Sequence, residues 1–431
     1  MRWLLACAVL VASARVHANP IEVFGLTSRR AAQANAGVAA ADDASALYYD
    51  PAGLVASPGG ELMLGTLGAY SHLSINADHP KLSDPYGFQI ALRAPLPLGG
   101  ALADHFAIGL GLHLLPHNVT RIIAPAPDRA FYPYYGDRLS RIVVLPGAAA
   151  RLGGGLSIGG ALNILASLNG SIYAAEGATR ALDARVDERV PTIARVIAGA
   201  QWQMSPELRF GAVYRQRFDI PFSTSARTII AGEPIDLDLR ASGLFTPHQV
   251  AGGVNWKTDA FSTSLDLGYA LWSGYPGPYV TVDSRLPLIG PVPGQTPHVP
   301  FKNTFSVRAG LESVASEGIV FRGGYGFESS PVPKNQTGVT NLLDGNKHTI
   351  GFGAGWIWNQ ARLDAHVQVQ LVTTRQMTKT AYDGTSPYDP YTSVRDENPN
   401  ASGTQSTNPG YPSIKSGGEV FSAGLTLEVP L

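Results

Sequence analysis

Several short motifs in this chain have the spacing of reactive sites. Gly155-Leu156-Ser157-Ile158-Gly159 matches the G-x-S-x-G nucleophile elbow, in which serine sits on a sharp strand-to-helix turn. Here the motif opens an alternating stretch with Leu156 and Ile158 on one face, so tight strand packing explains it better than hydrolysis. Gly351, Gly353 and Gly355 resemble half a dinucleotide-binding loop, but no helix or acidic partner follows them. His113 and His117 have the spacing of two metal ligands on one helix face, which Pro116 and the surrounding strand pattern exclude. Asp42-Asp43 has the form of a carboxylate pair, and a helix cap with an electrostatic contact inside the fold is the favoured reading. Arg308, Arg322 and Arg362 alternate with apolar residues. Each can hold a ligand carboxylate or pair within its own wall with Glu312 or Asp364, and wall pairing is favoured. No serine and histidine fall convincingly on neighbouring positions of adjacent strands. The expectation is therefore no enzyme, no cofactor and no metal.

Composition narrows the class. The 431 residues carry a net charge of -1, and only 15% are charged, against roughly 25% in soluble globular proteins. No basic excess points to nucleic acid. Residues 1–18 read as a signal peptide: Arg2, the apolar run Trp3 to Ala14, then Val16-His17-Ala18 as a small-residue cleavage site, with Asn19 as the new terminus. That apolar run is too short to cross a hydrocarbon core of about 30 Å. Cys7 is the only cysteine, so the mature chain would hold no disulfide or thiolate metal site. No later run is long and apolar enough for a membrane helix. An exported, weakly charged chain of this kind can still enter a membrane as a closed β-barrel, which pairs every backbone group internally.

Two regions follow the leader. Residues 19–59 are rich in Ala and small polar residues, with Gly25, Gly37 and Gly53 as punctuation, and lack strand alternation. Ser28 to Asn35 reads as two helical turns. Asp42 or Asp43 is a candidate cap for a second helix, Ala44 to Tyr49. Pro51 stops it, and Asp50 can bond its own backbone in an Asx-turn. Residues 60–431 alternate instead, as in Phe305, Val307, Ala309 and Leu311 against Ser306, Arg308, Gly310 and Glu312. Strands are expected at 60–76, 86–95, 106–116, 138–151, 156–169, 193–203, 207–218, 236–256, 260–272, 303–312, 318–327, 348–357, 361–375 and 419–429. Connections alternate between short and long, and Trp202, Trp256 and Trp358 precede short turns while Trp272 precedes a long one. This is the anatomy of an all-β, 14-stranded antiparallel transmembrane β-barrel with interfacial Trp belts, its lumen plugged by a mainly helical N-terminal hatch. Phe131, Tyr132, Tyr134, Tyr135, Tyr275 and Tyr279 lie in long connections, either as an apolar catching surface or as stiff caps.

Two stretches carry a resemblance to a known family. The first is Gly37-Val38-Ala39, Ala41-Asp42-Asp43-Ala44-Ser45-Ala46-Leu47 and Tyr48-Tyr49-Asp50-Pro51-Ala52-Gly53. The second runs from Phe321-Arg322-Gly323-Gly324-Tyr325-Gly326-Phe327 through Glu328-Ser329-Ser330-Pro331-Val332-Pro333 to Asp344 and His348-Thr349. Together they resemble the FadL/TodX-type outer-membrane transporters of long-chain fatty acids and other hydrophobic compounds. The resemblance implies diffusive uptake, with ligand release gated by the hatch, and the expected state is a monomer. The alternatives are an aromatic-hydrocarbon channel of the same fold or a nonspecific aqueous porin. It also implies that the mobile terminus Asn19–Phe24 reaches the ligand pocket, and that strand 106–116, with Gly109 and Gly111, holds a break through which ligand leaves sideways. Where the family has Asn-Pro-Ala, this chain has Asp50-Pro51-Ala52. The candidate ligand-binding and gating residues are thus Asn19, Ile21, Val23, Phe24, Asp50, Pro51, Ala52, Gly109, Gly111, Arg308 and Arg322. The expected partners are a hydrophobic small molecule and the lipid bilayer, and the expected location is the outer membrane.

Overall fold

The computed structural model describes residues 21–76, 78–80, 82, 86–114, 129–136, 142–166, 169–176, 182–189, 192–230, 233–286, 290–294, 296–314, 318–334, 336, 340–378 and 413–431. The expected signal peptide and Asn19 lie outside them. Three short helices come first: α1 (Ile21–Phe24), α2 (Ser28–Ala32) and α3 (Ala46–Tyr49), followed by a 3-10 turn, Pro51–Val55. The strands are β1 (Glu61–Ile75), β2 (Tyr86–Pro95), β3 (Phe106–Leu114), β4 (Val143–Gly153), β5 (Leu156–Ala166), β6 (Asn169–Glu176), β7 (Leu182–Arg189), β8 (Thr192–Gln203), β9 (Leu208–Arg215) and β10 (Phe218–Ile230). They continue with β11 (Glu233–Thr246), β12 (Gln249–Lys257), β13 (Phe261–Ala270), β14 (Thr281–Leu286), β15 (Gly290–Val292), β16 (Thr304–Val314), β17 (Ile319–Glu328), β18 (Lys347–Trp358), β19 (Ala361–Thr378) and β20 (Ser413–Pro430).

Fourteen of these close into one antiparallel barrel in the order β1-β2-β3-β4-β5-β8-β9-β12-β13-β16-β17-β18-β19-β20. Closure runs from Glu61 opposite Pro430 to Ile75 opposite Ser416. The period-2 pattern dictates the facing: Leu363, Val367 and Leu371 are exposed on the outside of β19, while Asp364, His366, Gln368 and Gln370 are buried inside. Tight turns gather at one rim. At Asn359 and Gln360 both φ values are positive, 45° and 69°, as a two-residue hairpin between right-twisted strands requires. The long connections rise from the other rim, called the outer rim below.

Three departures from the sequence reading have physical causes. The expected strand 236–256 is two strands, β11 and β12, separated at Pro247, where the missing N–H ends the ladder. The connections 170–192, 219–235 and 273–302 are not irregular. Within them β6, β7, β10, β14 and β15 join β11 in a second sheet, ordered β15-β14-β11-β10-β6-β7. Leu182, Ala184 and Val186 do alternate with Asp183, Arg185 and Asp187, but the charge density makes the stretch read as a solvated loop. Third, Trp272 is 5% exposed and packs among Phe245 and Tyr275, so it is a core aromatic and not part of a membrane belt.

Trp202 and Trp256 do face outward at the short-turn rim, 45% and 49% exposed, and Trp358 packs on the exposed Trp356 with ring centroids 4.8 Å apart. Lipids brominated on the acyl chain should therefore quench part of the tryptophan emission. Replacing Trp202 and Trp256 together by Phe should remove much of the quenchable signal, whereas Trp272→Phe should leave its intensity unchanged.

Candidate functional site

The hatch is held in shape locally and in place by the wall. Thr27 caps α2, its hydroxyl accepting from the Arg30 N–H at 3.2 Å. The chain then reverses through Ala34 and Asn35, both in the left-handed region at φ 51° and 65°. Asp43 accepts from the Ser45 N–H at 2.9 Å at the start of α3, and Asp50 accepts from the Ala52 N–H at 3.0 Å, which forms the expected Asx-turn. Wall side chains grip the hatch backbone. Asp266 Oδ2 accepts from the Gly37 and Val38 N–H groups at 2.7 and 2.9 Å. Gln368 donates to Ala31 O and Gln370 to Val23 O, while Thr426 accepts from the Ser28 N–H.

Three glycines of these motifs, Gly159, Gly351 and Gly353, form grooves into which the plug fits. A Cβ on Gly351 would lie 2.5 Å from Ala31 O, and one on Gly353 2.6 Å from the Ala32 Cβ. One on Gly159, the last residue of the G-x-S-x-G match, would run into the Pro51 backbone. These residues sit inside strands, and their common property is close approach to the hatch.

An ionic network ties hatch to wall. Arg29 makes a bidentate pair with Glu312, 2.9 and 3.0 Å, and reaches Asp42 at 2.7 Å and Asp43 at 3.1 Å. Glu312 also takes Arg322 at 2.6 Å, and Arg322 takes Asp364 at 2.6 Å. Arg362 joins Asp364, Glu428 and Asp43, and Arg30 joins Asp42. Arg322 thus pairs within the wall as its alternation suggested, and it also belongs to the chain of charges that ends on the hatch. Burial alone would push the Asp42 and Asp43 carboxyls up, but Arg29 and Arg30 outweigh it and hold both below the usual carboxylate range.

Above the network lies a cavity with about 820 Å³ of empty space, some of it open to solvent. Its walls include Ile21, Asn35, Val38, Tyr48 and Tyr49 from the hatch, Arg215, Asp266 and Arg308 from the barrel, and Tyr134 and Trp272 from the connections above. Those connections form a lid. Phe131, Tyr132, Tyr134, Tyr135, Tyr275 and Tyr279 are all buried, in one cluster with Val23 and Phe24. Lys347 anchors the lid, its ammonium 4.0 Å from the Tyr134 ring centroid and 3.0 Å from Asp344.

Of the residues singled out from sequence, Ile21 and Arg308 line this cavity. Arg308 is already engaged, with Ser306 at 3.0 Å and Glu328 at 3.4 Å. Val23 and Phe24 belong to the lid cluster. Asp50, Pro51 and Ala52 are buried in the turn that packs on β4, β5 and β8, away from the cavity lining. Gly109 and Gly111 face Leu47, 3.1 and 3.4 Å from where a Cβ would stand. The described β3 ladder runs without a register shift on both edges, so neither glycine marks a break. His113 is a buried residue of β3, and His117 lies outside the described residues. Sequence reading missed Arg215, whose guanidinium donates to Tyr48 O at 2.8 Å and Tyr49 O at 3.0 Å and lies 4.9 Å from the Tyr48 ring. A lone arginine in an otherwise ordinary strand gave no signal; only the three-dimensional meeting with α3 reveals it.

Two outcomes follow for hatch docking. Arg29→Ala leaves Glu312 and two hatch carboxylates short of a partner. Breaking buried pairs of this kind costs about 3–5 kcal/mol, so the hatch should become open to protease in folded barrels while the unaltered protein resists. The second concerns pH. Burial pushes the Asp50 carboxyl up to about 8, so its contribution is greatest in acid and is lost as pH rises through that value. The depressed Asp42 and Asp43 act oppositely, and their contribution is lost as pH falls through and below the ordinary carboxylate range. Docking, read by hatch protection from protease, should peak between these limits, and Asp50→Asn should flatten the alkaline limb alone.

No protein-family model matches the chain. It is 21% identical over 375 residues to alkane uptake protein A of Marinobacter nauticus, covering 80% of this chain and 81% of that one. Among solved structures, a Pseudomonas aeruginosa FadL homologue superposes with a TM-score of 0.60 at 12% identity, over 94% of this chain and 98% of that one. The Pseudomonas putida toluene transporter TodX gives 0.59 at 14%, over 95% and 99%. The monoaromatic hydrocarbon channel CymD gives 0.56 at 13%, over 94% and 98%. With its closed fourteen-stranded wall, its buried N-terminal hatch and this likeness along nearly its whole length, the chain has the fold of the FadL/TodX-type transporters.

Proposed function

We propose that this protein is an outer-membrane channel that admits hydrophobic molecules by diffusion, and that movement of the hatch controls their release. The observation that carries this reading is the cavity between hatch and wall, under an aromatic lid and above an ion-paired plug. On one side Tyr48, Tyr49, Tyr134 and Trp272 offer aromatic faces to a hydrocarbon body, each buried methylene of which contributes about 0.8 kcal/mol, while Glu22, Asp266, Ser306 and Glu328 make the other side polar. Capture from water then needs no chemistry beyond burial.

The state of the two cavity arginines selects among solutes. Arg215 is bonded to the carbonyls that end α3, and Arg308 to Glu328 and Ser306. An ionised fatty-acid head would have to displace one of these sets, whereas an uncharged alkane or aromatic hydrocarbon displaces neither. Alkane uptake by the Marinobacter relative and the toluene transport named for TodX accord with this choice. A nonspecific aqueous pore is disfavoured by the packed hatch. The protein acts as a monomer in this reading, since the cavity is complete within one chain.

The test uses a Gram-negative host without hydrocarbon channels of its own. Cells making the protein should take up labelled hexadecane or toluene several-fold faster than control cells, and labelled oleate little faster. Purified protein in liposomes should exclude sugars, and deletion of residues 21–55 should let them leak. Equal sugar leakage with and without the hatch would eliminate the gated-channel reading.

A further inference from the structure

We propose that the outer rim of the barrel between β9 and β18 is a binding surface for lipid A, a glycolipid whose sugar head bears two phosphates, and that Arg217, His248, Lys302 and His348 contact those phosphates. The inference goes beyond solute uptake and needs only a barrel that stands in an outer membrane.

Three tyrosines mark the level of the outer interface. Tyr214, Tyr269 and Tyr325 are exposed on the outside of the wall, and each hydroxyl is tied to a polar group at the rim. Those of Tyr214 and Tyr325 meet the Nδ1 atoms of His248 and His348, both at 2.8 Å, and that of Tyr269 accepts from the Asn303 amide at 3.1 Å. A ring among acyl chains with its polar tip among headgroups is the interfacial arrangement of tyrosine. The height agrees. His248 and His348 stand eight positions above the outward-facing Trp256 and Trp356 near the short-turn rim. Eight strand residues span about 27 Å, or about 20 Å of height at the usual tilt, close to the roughly 25 Å of an outer-membrane apolar band.

This rim is basic and uncompensated. Arg217 and Lys302 are exposed and His248 and His348 half-exposed, and among the described residues none of the four has a carboxylate partner. Neighbours also fix the proton of the neutral His248 ring. The Arg217 N–H can only donate, and it meets His248 Nδ1 at 3.3 Å, so the ring proton sits on Nε2 as a donor for a group outside the protein. Below these side chains Tyr214, Val250, Tyr269 and Phe305 pair in succession across four strands, 38–52% exposed, as an apolar strip for acyl chains. Donors for phosphate above such a strip match an anionic lipid. His248, Lys302 and His348 stand at the outer starts of β12, β16 and β18, every second strand of the wall, hence about 10 Å apart. One sugar head with a phosphate at each end can touch two such positions at once, which a glycerolipid with a single phosphate does not.

The experiment titrates the purified, delipidated protein in detergent with bisphosphorylated lipid A, phosphatase-treated lipid A or phosphatidylglycerol, and reads binding by native mass spectrometry. Binding of bisphosphorylated lipid A at least tenfold tighter than of either other lipid is expected. A variant combining Arg217→Gln, Lys302→Gln, His248→Asn and His348→Asn removes the four donors, while asparagine keeps an oxygen for the tyrosine hydroxyls. It should lose at least tenfold in affinity for lipid A and keep the heat-modifiable migration and tryptophan emission of the folded barrel. Lys257→Gln, which removes an exposed charge at the opposite rim, should change nothing. Equal affinity for the three lipids, unchanged affinity in the folded combined variant, or an equal loss in Lys257→Gln would each overturn the proposal. If the combined variant does not fold, the comparison of lipids on the unaltered protein decides alone. None of these readouts involves solute uptake, so failure here is distinct from failure of the channel reading.

Discussion

The bidentate pair between Arg29 and Glu312 is the contact on which the rest of the molecule depends, because it joins a plug that cannot fold alone to a wall that would otherwise be open. Helices of four or five residues lie far below the length at which isolated helices persist in water, and the hatch has three of them. Their geometry is imposed from outside. Glu312 is shared with Arg322, which passes the link to Asp364 and Arg362 and so across β16, β17 and β19. Taking these charges out of water is costly, and mutual pairing offsets the cost only in one arrangement. The network therefore selects the position of the hatch as much as it stabilises it.

A barrel interior built to receive a plug differs from one built to conduct water. Its inner face carries side chains that answer backbone groups: Asp266 for two N–H groups, Gln368 and Gln370 for carbonyls, Arg215 for the end of α3. Where the hatch backbone comes closest, the wall has glycine. The polar lumen and the glycine-rich strands are thus one solution to one problem, the placement of an irregular segment inside a closed sheet without unpaired backbone. What is left over, between the hatch, β12, β13, β16 and the lid, is the cavity.

The barrel was largely legible in the sequence, because alternation with period two fixes facing for every strand that has lipid on one side and packing on the other. The same signal fails above the membrane, where β6 and β7 alternate with charge and read as loops. Pro247 shows how a single breaker divides what pattern alone runs together. The plug was legible as a segment but not as an interface: Gly159 and Gly351 looked like fragments of enzyme motifs because their reason lies in Pro51 and Ala31, far away in the chain. Arg322 could be assigned a wall partner from spacing, since Glu312 and Asp364 sit on strands near it. Arg215 could not, because its partners are main-chain carbonyls that carry no sequence signature.

Ionic and backbone contacts lock the hatch inside the barrel. Hydrogen exchange of the native protein in detergent or bilayer measures this directly, through the N–H groups of Ala31, Gln33, Ala41 and Gly53, all bonded within the hatch. Protection close to that of the barrel strands is expected, falling by orders of magnitude in Arg29→Ala while the strands stay protected. Exchange of these amides at the rate of an unstructured chain in the unaltered protein would show that the hatch is not locked.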